Sequence, residues 1–203
     1  MKKKYTLSLF SGCLIGVVLF LILINAVKPR AGYDFPFYHD LEGMVQKANQ
    51  IVIGNVVADE GIKMLDVGGG NTEYRIYRIK ISEAISGDAA AGEEILVRVF
   101  KRNDSDDHPF EVGKDYVCFL WKGSDCPATP LNRSQVAIRL EGEELLMTKD
   151  AYTAVKGTTD RLRSGSEAVV QNNENTDDYE DIILKGGRSE ILSMIREMAA
   201  EKE

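Results

Sequence analysis

Histidine and cysteine are scarce in this 203-residue chain, which has two histidines and three cysteines. A hydrolytic triad needs a nucleophile, a base and an orienting acid, and a zinc centre needs clustered histidine or cysteine ligands. His39 stands beside Asp40 in a stretch that resembles a connector, and His108 follows an acidic run. Because no catalytic constellation is recognisable, we predict a noncatalytic protein with no cofactor and no metal centre.

Three cysteines are also too few for a disulfide scaffold, so we expect an ordinary apolar core. Cys118 and Cys126 form the candidate disulfide, since a cysteine ending a strand and one in the next turn can reach bridging distance. The alternative is two unpaired thiols, because connectivity is not readable from sequence. An envelope enzyme is an alternative function, and its only candidate catalytic residues are the reduced thiols, His108 and the nearby aspartates.

Basic residues are fewer than acidic ones, with 25 lysines and arginines against 32 aspartates and glutamates. All the acidic residues lie beyond Val27, whereas Lys2, Lys3 and Lys4 precede it. The portion after Val27 is therefore more acidic than the whole chain. Since phosphate recognition requires a cationic surface, we predict that the protein does not bind nucleic acid.

One long apolar run is present, because residues 5–27 contain no charged side chain. A helix of that length extends about 35 Å, enough to cross the hydrocarbon core of a bilayer. A cleaved signal peptide ending near Ala26 is the alternative, although its apolar core would be unusually long. A lipoprotein leader ending at Cys13 is disfavoured, since the apolar run continues well beyond that cysteine.

The lysines before the run favour a cytoplasmic N-terminus and an extracytoplasmic C-terminal portion. We therefore predict a single-pass plasma-membrane protein, with secretion after cleavage as the alternative. The predicted segments are a cytoplasmic tail (1–4), a membrane anchor (5–27), a juxtamembrane connector (28–39), a β-domain (40–150), a polar mobile segment (151–188) and an amphipathic C-terminal helix (189–203).

Residues 40–150 change from one helical period to repeated strand periods. Residues 40–49 have apolar side chains at three- and four-residue spacing, which predicts a short helix. Alternating or β-branched runs then predict five or six antiparallel strands, and Gly54 within the first predicts a bulge or tight bend. The runs are 51–57, 74–85, 94–102, 116–121, and a hairpin of 136–140 with 144–147. This pattern predicts a mainly β fold, α+β by element count, built as a small OB-like barrel with flanking helices.

Three of these segments also resemble known exported bacterial β-domains of poorly characterised function, which are loosely similar to the tissue-inhibitor-of-metalloproteinase and netrin-like OB barrels. The resemblance rests on the opening strand 48–57, on the long strand 77–87 ending in Ser86-Gly87, and on the glycine-led aromatic strand 112–120. It implies a fold and no activity. Those inhibitors place an N-terminal cysteine on the target's metal, and no cysteine here stands in that position.

Beyond Asp150 the sequence is more polar. Ala151 to Lys156 is compatible with a helical turn, and residues 157–181 have the composition of a mobile loop. Residues 182–184 are expected to form a last edge strand or, alternatively, to begin the closing element. Ser189 is a good N-cap for a last helix, whose apolar stripe predicts packing against the barrel or, alternatively, docking of a partner helix. The stripe consists of Ile191, Leu192, Met194, Ile195 and Met198.

The run around Asp104, Asp106 and Asp107 is a weak cation-site candidate, because hard cations prefer clustered carboxylates. A solvated acidic loop is the alternative, since the glycine of the helix-loop-helix calcium site is missing. Residues 68–70 are three glycines without a phosphate-loop lysine, which predicts a hairpin tip. Asn103 and Asn132 begin formal glycosylation sequons.

Together these features predict a membrane-anchored extracytoplasmic module that binds a protein or an envelope polymer. Tyr74, Tyr77 and Trp121 are candidate surface aromatics, with roles in the core as the alternative. An envelope enzyme and an accessory subunit of a membrane complex remain alternative functions.

Overall fold

The computed structural model describes residues 36–67, 71–101, 109–123, 126–132, 135, 137–162, 168–170, 182–185 and 187–202. The chain divides into two compact units, Met1–Asp34 and Phe35–Glu203, and every described residue belongs to the second. The predicted tail, anchor and most of the connector lie outside the described residues. Within the described part, no helix is long and apolar enough to cross a membrane.

Three helices and nine strands make up the described part of the domain. The helices are α1 (Leu41–Lys47), α2 (Lys149–Leu162) and α3 (Arg188–Ala200). The strands are β1 (Gln50–Asp66), β2 (Asn71–Ser86), β3 (Glu94–Phe100), β4 (Asp115–Trp121), β5 (Thr129–Pro130), β6 (Ala137–Glu141), β7 (Glu144–Met147), β8 (Ala168–Val170) and β9 (Ile182–Lys185). This confirms the predicted mainly β, α+β class.

The first helix follows directly from its sequence. Asp40 has extended backbone geometry and its carboxylate accepts a hydrogen bond from the Gly43 N–H at 2.8 Å, so it caps the helix. Leu41, Met44 and Val45 form the buried face. The predicted helix is therefore confirmed, with ends at 41 and 47 in place of 40 and 49.

The strands form one antiparallel sheet in the order β3-β2-β1-β4-β6-β7-β9-β8, with β5 pairing with β4. This ladder is open, so the expected closed barrel is not found as a continuous ring of paired strands. The reason lies at the edge of β4 that faces away from β1. Along this edge β4 pairs with β6 from Asp115 to Cys118 and with β5 at Leu120 and Trp121. The β6–β7 hairpin thereby carries the sheet away from β3. A single parallel bridge, Val97 to Ala128, joins β3 to the residue before β5.

The first part of β1, residues 50–56, and the interior of β4 are buried on both faces. Ile51 and Phe119 lie in a core shared with the three helices, whereas Val52 and Cys118 lie in a second core on the other face. Successive side chains of a strand point to opposite faces, so each strand contributes to both cores in alternation. Burial on both faces explains why these two segments have a nearly continuous apolar sequence.

Gly54 lies where the backbone of β1 is close to β2. A register shift occurs between Ile53 and Gly54, which confirms the predicted irregularity. A Cβ atom at Gly54 would lie 2.7 Å from the Ile79 Cγ2 and 2.8 Å from the Lys80 carbonyl oxygen. Only glycine fits without displacing the neighbouring strand.

The segments after Asp150 are more structured than predicted. Helix α2 extends to Leu162 and β8 covers 168–170, so the expected mobile loop is wrong for those residues. Strand β9 is not at the edge, because it pairs with both β7 and β8. Pairing places its apolar residues beside those of β7, a tertiary effect that composition does not reveal.

Helix α3 packs through its apolar stripe as predicted. Ile191, Leu192 and Ile195 are buried in the core next to the helices, and Met194 and Met198 pack against it. The helix begins at Arg188 with Gly187 in the N-cap position and no side-chain cap, so the predicted Ser189 cap is wrong. Packing of the stripe defines where this helix starts more strongly than a cap does.

Candidate functional site

The predicted thiols do not form a reactive pair in the structure. Cys118 and Cys126 are both free, so the structure does not support the expected bridge. Burial raises the pKa of the Cys118 thiol to about 12. A thiol of that pKa carries almost no thiolate at neutral pH and is a poor nucleophile. Cys126 is half-buried in the segment that leads to β5.

The remaining candidates for chemistry are not brought together in the described part of the chain. His39 is exposed and its ring meets the edge of Phe37 at a centroid distance of 5.2 Å. Asp104, Asp106, Asp107 and His108 lie outside the described residues, so the cation site stays a prediction. Among the residues that are described, no group of three or more histidine, cysteine, aspartate or glutamate side chains is placed to hold a metal.

The three candidate aromatics have different environments. Tyr77 is fully buried in the second core and meets Phe110 edge-on, so its role is packing. Tyr74 is 9% exposed and lies on the opposite face of β2. Trp121 is 48% exposed at the end of β4, and of the three it alone presents a large apolar surface to solvent.

The hairpin of β1 and β2 projects beyond its neighbouring strands. Strand β1 pairs with β4 only from Gln50 to Asn55, whereas it pairs with β2 as far as Asp66 and Asn71. Strand β3 joins β2 only from Tyr74 onward. Residues 59–66 and 71–77, which we call the β1–β2 arm, therefore extend beyond β4, and the part formed by residues 64–66 and 71–73 also extends beyond β3.

The arm carries exposed apolar side chains on one face. Ile62 is 46% exposed and Met64 is 57% exposed, and they lie opposite Arg75 and Glu73 on β2. Residues directly opposite in a ladder share a face, and alternate residues of one strand share it too. This face of β2 also carries Tyr77, so the arm extends the apolar face of the second core into solvent.

Ion pairs fix the geometry at the base of the arm. Asp59 accepts hydrogen bonds from the Arg75 Nε at 2.8 Å and from the Gly61 N–H at 2.9 Å. Glu60 pairs with Arg78, and the hydrogen bond from that guanidinium lowers the pKa of the Glu60 carboxyl. Gly61 has a φ of +77°, a backbone angle that residues with a side chain rarely adopt. These contacts make the arm a positioned element.

Buried polar side chains hold the last residues of the connector against the domain. Gln135 is fully buried, accepts a hydrogen bond from the Tyr38 N–H at 2.8 Å, and donates to the Tyr38 and Asp150 carbonyl oxygens. The Asn132 amide donates to the Pro36 carbonyl oxygen at 2.9 Å. The Thr158 hydroxyl accepts from the Leu41 N–H at 2.8 Å. We call this set the connector clasp.

The connector clasp was not predicted from the sequence. Its contacts change the interpretation of the glycosylation sequon at Asn132. Asn132 is 7% exposed, so its amide is engaged in the fold and poorly placed to receive a glycan. No motif or spacing distinguishes Gln135 or Thr158 from exposed polar residues. Their roles arise from contacts with segments that lie far away in the sequence.

The chain matches no protein-family model, and no curated protein sequence matches it. The resemblance to OB barrels therefore stays a prediction.

Proposed function

We propose that this protein is a noncatalytic, membrane-anchored extracytoplasmic module that binds a protein or an envelope polymer. The observation that carries the proposal is the projecting β1–β2 arm with its exposed Ile62 and Met64. Exposed apolar side chains that adjoin one another on a rigid element are characteristic of interaction surfaces. The arm's ion pairs keep that surface oriented without a ligand, which reduces the entropy lost on binding.

The inert Cys118 thiol supports binding over catalysis. Of the two cysteines in the described domain, it occupies the central strand, and its pKa of about 12 removes it as a nucleophile. An enzyme would then depend on Cys126 with a histidine, and His39 is engaged with Phe37 at the connector. A binding module requires no group that the described residues lack.

We further propose that strands β1 to β5 form an OB-like barrel to which β6–β9 are added. Two hydrogen bonds support this arrangement: the Arg98 N–H donates to the Ala128 carbonyl oxygen at 2.8 Å, and the Ala128 N–H donates to the Leu96 carbonyl oxygen at 2.9 Å. With β5 paired to β4, these contacts connect β3 back to the strand beside β1. The second core lies between these strands.

Anchoring through residues 5–27 is the other part of the proposal. It rests on the uncharged apolar run and on the lysines before it, which favour an extracytoplasmic domain. The connector clasp adds that the domain holds its own chain from Pro36 onward.

Crosslinking in native membranes tests the proposal. We would compare the wild-type chain with the double variant Ile62→Ser and Met64→Ser, using photo-crosslinking followed by mass spectrometry. Val112→Ser is the matched control, because Val112 is 56% exposed and is not part of the arm. We expect a defined crosslinked partner that is lost in the double variant and kept in the control. An unchanged crosslinking pattern in the folded double variant would contradict a binding role for the arm.

A further inference from the structure

Arg98 is a buried cation whose charge is not matched within the described residues. It is 7% exposed, and its Nε and Nη1 atoms are buried without a hydrogen-bond partner in the described part of the structure. The guanidinium group of an arginine side chain carries a full positive charge in proteins. Buried charges in folded proteins are normally paired. The position of Arg98 therefore requires an explanation.

The surroundings of Arg98 combine apolar and aromatic surfaces. It lies on the outer face of β3, opposite the fully buried Ile76 of β2. Its guanidinium carbon lies 5.2 Å from the centre of the Tyr74 ring, and Tyr74 meets Phe100 edge-on. A ring face attracts a cation, but it offers no acceptor in the plane of the guanidinium nitrogens. The Tyr74 ring faces the guanidinium, and the buried Nε and Nη1 atoms have no hydrogen-bond partner among the described residues.

Nearby carboxylates are engaged by other cations. Glu60 pairs with Arg78, which also reaches Glu94 at 3.5 Å. Two acidic side chains on the opposite face of the sheet, that of Tyr77, are held by Arg75 and Lys101. Those pairs are Arg75 with Asp59 at 2.7 Å and Lys101 with Glu73 at 3.6 Å. These carboxylates already have partners, so they do not supply the charge that Arg98 lacks.

From this geometry we infer that Arg98 is a binding site for one small oxyanion, a carboxylate or phosphate group. The planar guanidinium donates hydrogen bonds in a fork that matches such oxygens. Because Arg98 is only 7% exposed, a bulky group would have no access to it, so the proposed ligand is a single small oxyanion. This site lies on the face of β2 opposite that of Tyr77, so it is separate from the apolar face of the arm.

Anion titration of the intact protein tests the inference. Inorganic phosphate and acetate would be added at constant ionic strength, with chloride as the reference, while the thermal midpoint and the arginine Nε–H resonances are recorded. We expect a saturable rise in the midpoint and a saturable shift of the Arg98 Nε–H signal. If neither anion moves that signal beyond the chloride reference, the inference is overturned, and this measurement needs no variant.

Variants then locate the response. In Arg98→Met we expect the anion affinity to fall roughly tenfold or more, as the loss of charge-assisted hydrogen bonds predicts. Arg78→Met is the matched control, because Arg78 lies on the same outer face but has carboxylate partners. An equal midpoint response in Arg98→Met, or a loss of response in the control alone, would place the anion elsewhere and contradict the inference.

A carboxylate from the chain itself is the competing explanation. Asp104, Asp106 and Asp107 follow β3 in the sequence and lie outside the described residues. In a variant with all three changed to asparagine, the inference requires the same phosphate response as in the wild type. A response that appears only in this variant would show that the chain supplies the counter-charge. The arm variants used above do not alter Arg98, so the two proposals fail independently.

Discussion

Gln135 gives the sharpest stability prediction, because one buried side chain makes three hydrogen bonds to the backbone. In Gln135→Leu the volume is nearly kept but the donor and acceptor are lost. Each hydrogen bond contributes about 1 kcal/mol net, so we expect a loss of about 3 kcal/mol in the free energy of unfolding. For a domain of this size that corresponds to a fall of about 9 °C in the thermal midpoint.

Thermal and urea unfolding, followed by circular dichroism, would measure this loss. Gln46→Leu is the matched control, since Gln46 is exposed on α1 and we expect a change within about 0.5 kcal/mol. Amide exchange should also become faster at Tyr38, because its N–H loses its acceptor. If Gln135→Leu lowers the free energy of unfolding no more than Gln46→Leu does, the Gln135 hydrogen bonds do not hold the connector and the reasoning is refuted.

Burial and charge lead to three further predictions. A maleimide reagent at neutral pH should label Cys126 in the native protein while Cys118 stays unlabelled until unfolding, because burial raises the Cys118 pKa to about 12; labelling of native Cys118 would contradict this. Ile195→Asp places an unpaired charge at a fully buried position, so denaturant unfolding should show a loss above about 4 kcal/mol, and a stable variant lacking only a partner would refute packing. The hydrogen bond from Arg196 lowers the Glu83 pKa, so the pair stabilises the fold above the ordinary carboxyl pKa of 4.5 and stops doing so as pH falls through the lowered value. Arg196→Met should therefore be less stable than wild type at pH 7 and equal to it in strong acid, and a gap that persists in acid would exclude this cause.

Local sequence patterns predicted the elements that are stabilised by residues close to one another in the sequence. Helix α1 has its cap and apolar face within a few residues, and the β6–β7 hairpin is closed by its own turn. Gly54 marks a register shift, as a glycine in a strand often does. These features depend on side-chain periodicity and backbone sterics, which are properties of adjacent residues.

The candidate site was anticipated only in part. The sequence predicted a module that binds a protein or an envelope polymer and named Trp121, which is exposed, but it also named Tyr77, which is buried. Ile62 and Met64 resemble core residues in the sequence, and their exposure depends on how far β4 and β3 pair along β1 and β2. Strand extent in a sheet depends on neighbours that are distant in sequence, so periodicity alone cannot separate these cases.

The mainly β class was predictable from the sequence. The long apolar run of residues 5–27, the acidic character of the chain beyond Val27 and the scarcity of histidine and cysteine can be read from it directly. Composition and local period are enough for these conclusions, because they depend on residue type. Tertiary structure alone decided that the sheet is open, that Gln135 and Asn132 hold the connector, that Cys118 is inert and that Arg98 is buried without a matched charge among the described residues. Burial and pairing are produced by contacts between distant segments, and the chemistry of a side chain changes with the surroundings those contacts create.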